Sequence, residues 1–151
     1  MSTKSVVIFG ALIVVAIAGW LFFGKKEARK EILLAPQANS EGGVDVKVTP
    51  INVVESSTKW QFDIFLNTHS VELDQDMTKI AILKDDKGNI YQPLSWEGAA
   101  AGGHHREGIL IFSVIKPLPS KITLILKGIG NVEERNFSWP LLDSFTSNVA
   151  P

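Results

Sequence analysis

Cysteine is absent from the 151 residues. That excludes a disulfide framework, thiolate metal sites, a cysteine nucleophile and a lipidated lipoprotein cysteine. Excess charge of either sign is also missing, with 15 Lys and Arg against 16 Asp and Glu and a net charge of −1. A chain so balanced lacks the basic footprint that a phosphate backbone demands, so nucleic acid is not an expected partner. No G-x-x-x-x-G-K-[ST] or G-x-G-x-x-G run occurs, and nucleotide use has no support either. After Pro36 no stretch carries a convincing amphipathic helical period.

What is present begins with an apolar run. From Val6 to Phe23 the chain reads VVIFGALIVVAIAGWLFF, 18 residues without a charge, bracketed by Lys4 and Lys25. At about 1.5 Å per residue a helix of that length comes close to the roughly 30 Å hydrocarbon thickness. Trp20, Phe22 and Phe23, then Lys25 and Lys26, form an aromatic and basic boundary of the kind found at a membrane interface. A cleaved signal peptide would have a shorter apolar region and an A-x-A-like site after it. The run therefore predicts an uncleaved single-pass anchor over residues 1–24, with the lipid bilayer as its partner. A type IV pilin also starts with an apolar helix, but its early glutamate and its glycine-ended basic leader are missing here.

Orientation draws two opposed expectations. Lys25, Lys26, Arg29 and Lys30 follow the span and only Lys4 precedes it, which by the charge rule puts the following domain inside. Anchored sandwich domains are more usual outside the cytoplasm, and the extracytoplasmic placement is the expectation adopted.

Beyond the span, KKEARKEILLA continues as a helix until Pro36 stops it, and PQANSEGG reads as a polar linker. Residues 25–43 are thus the expected juxtamembrane helix and linker, residues 44–142 a β-domain and residues 143–151 a loose tail. From Val44 the period becomes two. Val44, Val46 and Val48 alternate with polar residues up to Pro50, and Trp60, Phe62, Ile64 and Leu66 alternate with Gln61, Asp63 and Asn67. Further strands are expected at 51–54, 79–84, 89–92, 108–114, 121–127 and 135–139, with a hairpin through Asp85, Asp86, Lys87 and Gly88. Seven or eight short strands indicate an all-β antiparallel sandwich. Its expected core is Trp60, Phe62, Ile82, Ile111, Leu124, Phe137 and Trp139.

Several motifs add a resemblance: DDKGNIYQPL at Asp85–Leu94, GILIF at Gly108–Phe112 and PLPSKITL at Pro117–Leu124. With NTHS (Asn67–Ser70), LDQD (Leu73–Asp76), SWEG (Ser95–Gly98) and GGHHR (Gly102–Arg106), the stretch Gly42–Leu142 resembles a functionally uncharacterised group of prokaryotic membrane-anchored proteins with a telokin-like, immunoglobulin-like β-sandwich. The resemblance implies an immunoglobulin-like fold at the cell envelope. It implies no activity, because fold analogy does not carry one.

Three histidines occupy two short motifs, His69 after the strongest strand and His104 with His105 in a glycine-flanked loop. Imidazoles from two loops are suited to zinc or copper, with Asp74, Asp76 or Met77 as further ligands, and a solvated structural role is the simpler alternative. Asp74, Asp76, Asp85, Asp86 and Asn89 raise calcium, although their spacing departs from the D-x-[DN]-x-[DN]-G loop. Ser70 beside His69, and Ser56 with Lys59 as S-x-x-K, supply letters of hydrolase motifs without the accompanying partners. The expectation is a non-enzymatic, membrane-anchored domain for protein contacts or a structural role; zinc or copper binding through His69 and His104 or His105 is the alternative.

Overall fold

The structure, a computed structural model, describes residues 34–141. The expected span with Val6, Trp20, Phe23, Lys25 and Lys26, residues 25–33 of the expected juxtamembrane helix and the expected tail lie outside the described residues.

The β-domain starts earlier than the valine alternation predicts. Gln37–Glu41, expected within the linker, is strand β1, and it turns through Gly42 and Gly43 onto β2 (Val44–Pro50). QANSE offers no apolar phase, so nothing in its pattern announces a strand. Gly42 has φ +56°, and a Cβ there would lie 2.0 Å from the Gly130 carbonyl oxygen, so both conformation and contact require glycine. The remaining strands are β3 (Lys59–Thr68), β4 (Ala81–Asp85), β5 (Ile90–Tyr91), β6 (Ser95–Gly98), β7 (His105–Ser113), β8 (Lys121–Ile129) and β9 (Val132–Pro140). They form two antiparallel sheets, ordered β1-β2-β3-β7-β6 and β5-β4-β8-β9. The fold is all-β, with nine strands among the described residues.

Two local expectations are corrected. Ile51–Val54 is not a strand: the Val54 carbonyl accepts from Ser57 N–H (3.2 Å) and from the Trp60 indole (3.0 Å), which folds the segment back as a loop. At 79–84 the strand begins only at Ala81. Met77–Ile80 is a single helical turn, α1, because Asp76 caps it by accepting from Thr78 N–H at 3.0 Å.

The core lies between the sheets and includes Val44, Val46, Val48, Trp60, Phe62, Leu124, Phe137 and Trp139, all at 2% exposure or less. Phe62 meets Phe112 edge-on at 5.7 Å and Trp139 at 5.8 Å, tying one sheet to the other through aromatic contacts. Ile82 and Ile111 sit on the other phase of their strands. In β4 the inward residues are Ala81, Leu83 and Asp85, leaving Ile82 half-buried outside. Ile111 is buried between Gln61 and Ser95 on the sheet's outer face, opposite in direction to Leu110 and Phe112. Both strands have apolar residues in both phases, so alternation alone selects the wrong face.

Candidate functional site

The histidine motifs come together at the level of the backbone. Thr68 is buried at the end of β3, where its hydroxyl donates to the Gly43 carbonyl (2.7 Å) and accepts from the N–H groups of Ser70 and Val71. The chain bends at once, which leaves His69 exposed. Thr68 N–H donates to the His104 carbonyl (3.0 Å), and Asn67 pairs with His105. His69 and His104 therefore sit on neighbouring chains at one end of the sandwich, with all three imidazoles exposed. Among the described residues no three His, Cys, Asp or Glu side chains group so as to hold a metal ion. Met77 is core, at 1% exposure, and its thioether is not available as a ligand. Asp76 is engaged in its cap; the Thr78 hydroxyl and N–H, then Lys79, hold its carboxyl below the usual range.

Beside these histidines stands a residue that motif reading passed over. Arg106 is 3% exposed on the inward phase of β7. Its guanidinium donates to the carbonyls of Leu73 (3.0 Å), Gln75 (2.7 Å) and Ala99 (3.4 Å) and lies 5.7 Å from the centre of the Trp96 ring. Trp96 in turn donates its indole N–H to the Ala99 carbonyl (2.9 Å). The ring lies over Gly98 and Gly108, and a Cβ at Gly98 would come within 2.4 Å of the Gly108 Cα. Gly102 N–H donates to the Leu73 carbonyl (2.8 Å), Leu73 N–H to the Gly103 carbonyl (3.0 Å), and Gly103 N–H to the Glu72 carboxylate (2.6 Å). LDQD, SWEG and GGHHR thus form one corner assembled around Arg106. Burial lowers the Arg106 pKa from its ordinary value, and Asp76 and Asp74 oppose that shift.

A second buried cation, Arg135, is 1% exposed on β9. It donates to the Asn39 side-chain oxygen and to the carbonyls of Glu41 (2.7 Å) and Ile129 (3.1 Å), so it clips β1 of one sheet to β9 of the other. Gln37 reinforces that seam, since its side-chain amide accepts from Ser138 N–H (3.1 Å) and donates to the Ser138 carbonyl. Two charged residues thus share the phase of their strands with apolar ones: Arg106 with Leu110 and Phe112, Arg135 with Phe137 and Trp139. That placement was visible in the alternation.

The aspartate-rich hairpin is likewise occupied by its own backbone. Asp85, 8% exposed, accepts from Lys87 N–H (2.9 Å), Asn89 N–H (2.8 Å), the Asn89 amide (2.8 Å) and the Tyr91 hydroxyl (3.0 Å). Burial pushes its pKa up, but the bonds from Asn89, Tyr91 and Lys87 outweigh that and hold it below the usual range. The Tyr91 hydroxyl is shifted upward, first by burial and then by Asp85. Asp86 accepts from the hydroxyl and N–H of Ser120, tying the hairpin to the loop before β8, and the same bonds lower its pKa. These bonds engage both carboxylate oxygens of Asp85 and one of Asp86. A cleft of ≈ 220 Å³ between hairpin and loop is lined by Asp86, Tyr91, Lys116, Pro117 and Ser120 among others.

For hydrolysis, Ser56 and Lys59 are both exposed, Ser56 in the loop before β3 and Lys59 on the strand itself. Ser70 follows His69 in the exposed bend. No family model, curated protein or solved structure matches the chain.

Proposed function

We propose that this chain is a non-enzymatic, membrane-anchored immunoglobulin-like domain that works at the cell envelope through protein contacts or as a structural element. One observation carries the non-enzymatic part. The three polar clusters built around Arg106, Arg135 and Asp85 direct their hydrogen bonds at the domain's own backbone and side chains. The immunoglobulin-like reading is supported by strand order, since β2-β3-β7-β6 follows the A-B-E-D order and β5-β4-β8-β9 adds a C′ edge to C-F-G. The anchor rests on the uncharged run Val6–Phe23, and the extracytoplasmic placement on the resemblance to anchored envelope proteins.

Full-length protein is expected to stay in membranes after carbonate washing, and protease added to intact spheroplasts is expected to remove the domain. Soluble mature protein lacking residues 1–23 would overturn the anchor; complete protection before lysis would reverse the topology. Turnover in an esterase and peptidase screen that disappears on Ser56→Ala or Ser70→Ala would overturn the non-enzymatic reading.

The second reading, zinc or copper binding through His69 with His104 or His105, is favoured by the Thr68–His104 backbone bond that makes the two motifs neighbours. It predicts calorimetric binding tighter than about 10 μM, the range of roughly −7 kcal/mol, lost in His69→Ala.

A further inference from the structure

The two ends of the sandwich differ in charge. Leu34–Pro36 leads into β1 at the end where β2 and β9 finish and β3 and β8 begin, and there the Ala35 carbonyl accepts from the Trp139 indole at 2.7 Å. This end exposes Lys59, Lys84, Lys87, Lys116 and Lys121 against Glu55 and Asp86; Asp85 is buried. At the opposite end Glu41, Glu72, Asp74, Asp76, Glu133 and Glu134 are exposed against Lys79 and Lys127, while Arg106 and Arg135 are buried. The tether end also presents Ile51, a large apolar side chain left 48% exposed. In sequence, Lys25, Lys26, Arg29 and Lys30, against Glu27 and Glu31, lie on the chain leading to it.

We propose that the lysine-bearing tether end, with Ile51, lies against an anionic lipid surface and holds the domain on the membrane with its acidic end outward. The proposal rests on reading Val6–Phe23 as a span. Each lysine near an anionic bilayer contributes attraction that fades within about 10 Å, the Debye length near 0.1 M salt. An anchor makes docking intramolecular, so a weak headgroup attraction suffices where a free domain would not stay bound. The acidic end is repelled by the same surface. Charge therefore selects which end faces lipid, and connectivity delivers that same end to it.

Because the chain has no cysteine, Ile51→Cys and Glu133→Cys each create a unique thiol for an environment-sensitive dye, at the tether end and at the acidic end. The labelled full-length chain is reconstituted into phosphatidylcholine vesicles with and without phosphatidylglycerol, each carrying a headgroup quencher, and flotation is scored separately. Quenching at position 51 is expected to rise with phosphatidylglycerol and fall with salt, while position 133 stays unquenched. In the phosphatidylglycerol vesicles, Lys59→Ala, Lys116→Ala or Lys121→Ala is each expected to lower the docked-to-undocked ratio about fivefold. A chain that floats with both vesicles but shows the same position 51 quenching in each would overturn the docking proposal and leave the anchor intact. A chain that does not float would overturn the anchor, and docking with it. A position 51 signal that responds to an added acidic protein or nucleic acid but not to lipid charge would assign the lysines to that partner instead.

Discussion

Arg106 and Arg135 are both buried cations held by carbonyl oxygens, yet they join different things. Arg106 fastens the 72–76 segment and the loop after β6 to β7, all around one end of a single sheet. Arg135 fastens β9 to β1, across the gap between sheets. The same chemistry thus does two jobs: one arginine shapes a corner, the other closes an edge. β1 has no apolar face of its own, so the edge depends on Arg135, Asn39 and Gln37 in a way the corner does not.

The largest expected effect follows from cutting that dependence. A chain starting at residue 42 lacks Asn39 and the Glu41 carbonyl, so Arg135 loses two of its three acceptors together with the strand that packs beside it. The cost is at most about 3 to 5 kcal/mol, the value for a charge left buried without its partner, to be read by urea unfolding against a chain starting at residue 34. Equal stability of the two would dissolve the distinction between corner and edge.

Trp60→Ala is a control that acts on neither arginine. It removes a fully buried ring and is expected to cost about 3 to 5 kcal/mol without changing the coupling between Asn39 and Arg135. In a double-mutant cycle Asn39→Ala and Arg135→Met should couple by about 0.5 to 3 kcal/mol, while Arg106→Met and Arg135→Met should add. Coupling between the two arginines would mean that corner and edge are one unit.

The hairpin supplies a pH test independent of both. Asp85 has a folded-state pKa held below its unfolded value, so its contribution is present above about pH 3.9 and is lost as pH falls through the folded value. Tyr91 is shifted the other way; its contribution is present below about pH 10 and is lost as pH rises through its folded value. Asp85→Asn should flatten the acid limb of the stability curve, and Tyr91→Phe the alkaline one. Denaturation profiles unchanged in shape would remove the hairpin from the account. The smallest effect belongs to the exposed imidazole: His69→Ala should change stability by less than about 0.5 kcal/mol.

Where one phase of a strand is apolar and the other polar, as in β2 and, Phe65 apart, β3, alternation alone identifies strand and buried face. It fails for β1, which carries only Ala38 among polar residues and which pairs with β2 while its side chains reach partners about a hundred positions away on β9. It also fails at Ile82 and Ile111, where both phases are apolar. Histidine spacing draws attention to one end of the sandwich, yet the residue that organises that end is the arginine beside them. The signal was there: a cation on the apolar phase of a strand is buried unless the register slips, and burial obliges it to find acceptors.

The most direct test of the claim that this polar corner is architecture is the unfolding free energy of Arg106→Lys. Lysine keeps the charge but cannot spread a planar fork over several carbonyls. The expected result is a loss of about 2 kcal/mol or more with an unchanged denaturant slope. Stability equal to or above that of the unaltered chain would contradict the account, because a residue kept for binding or catalysis rather than for the fold can be replaced without that loss.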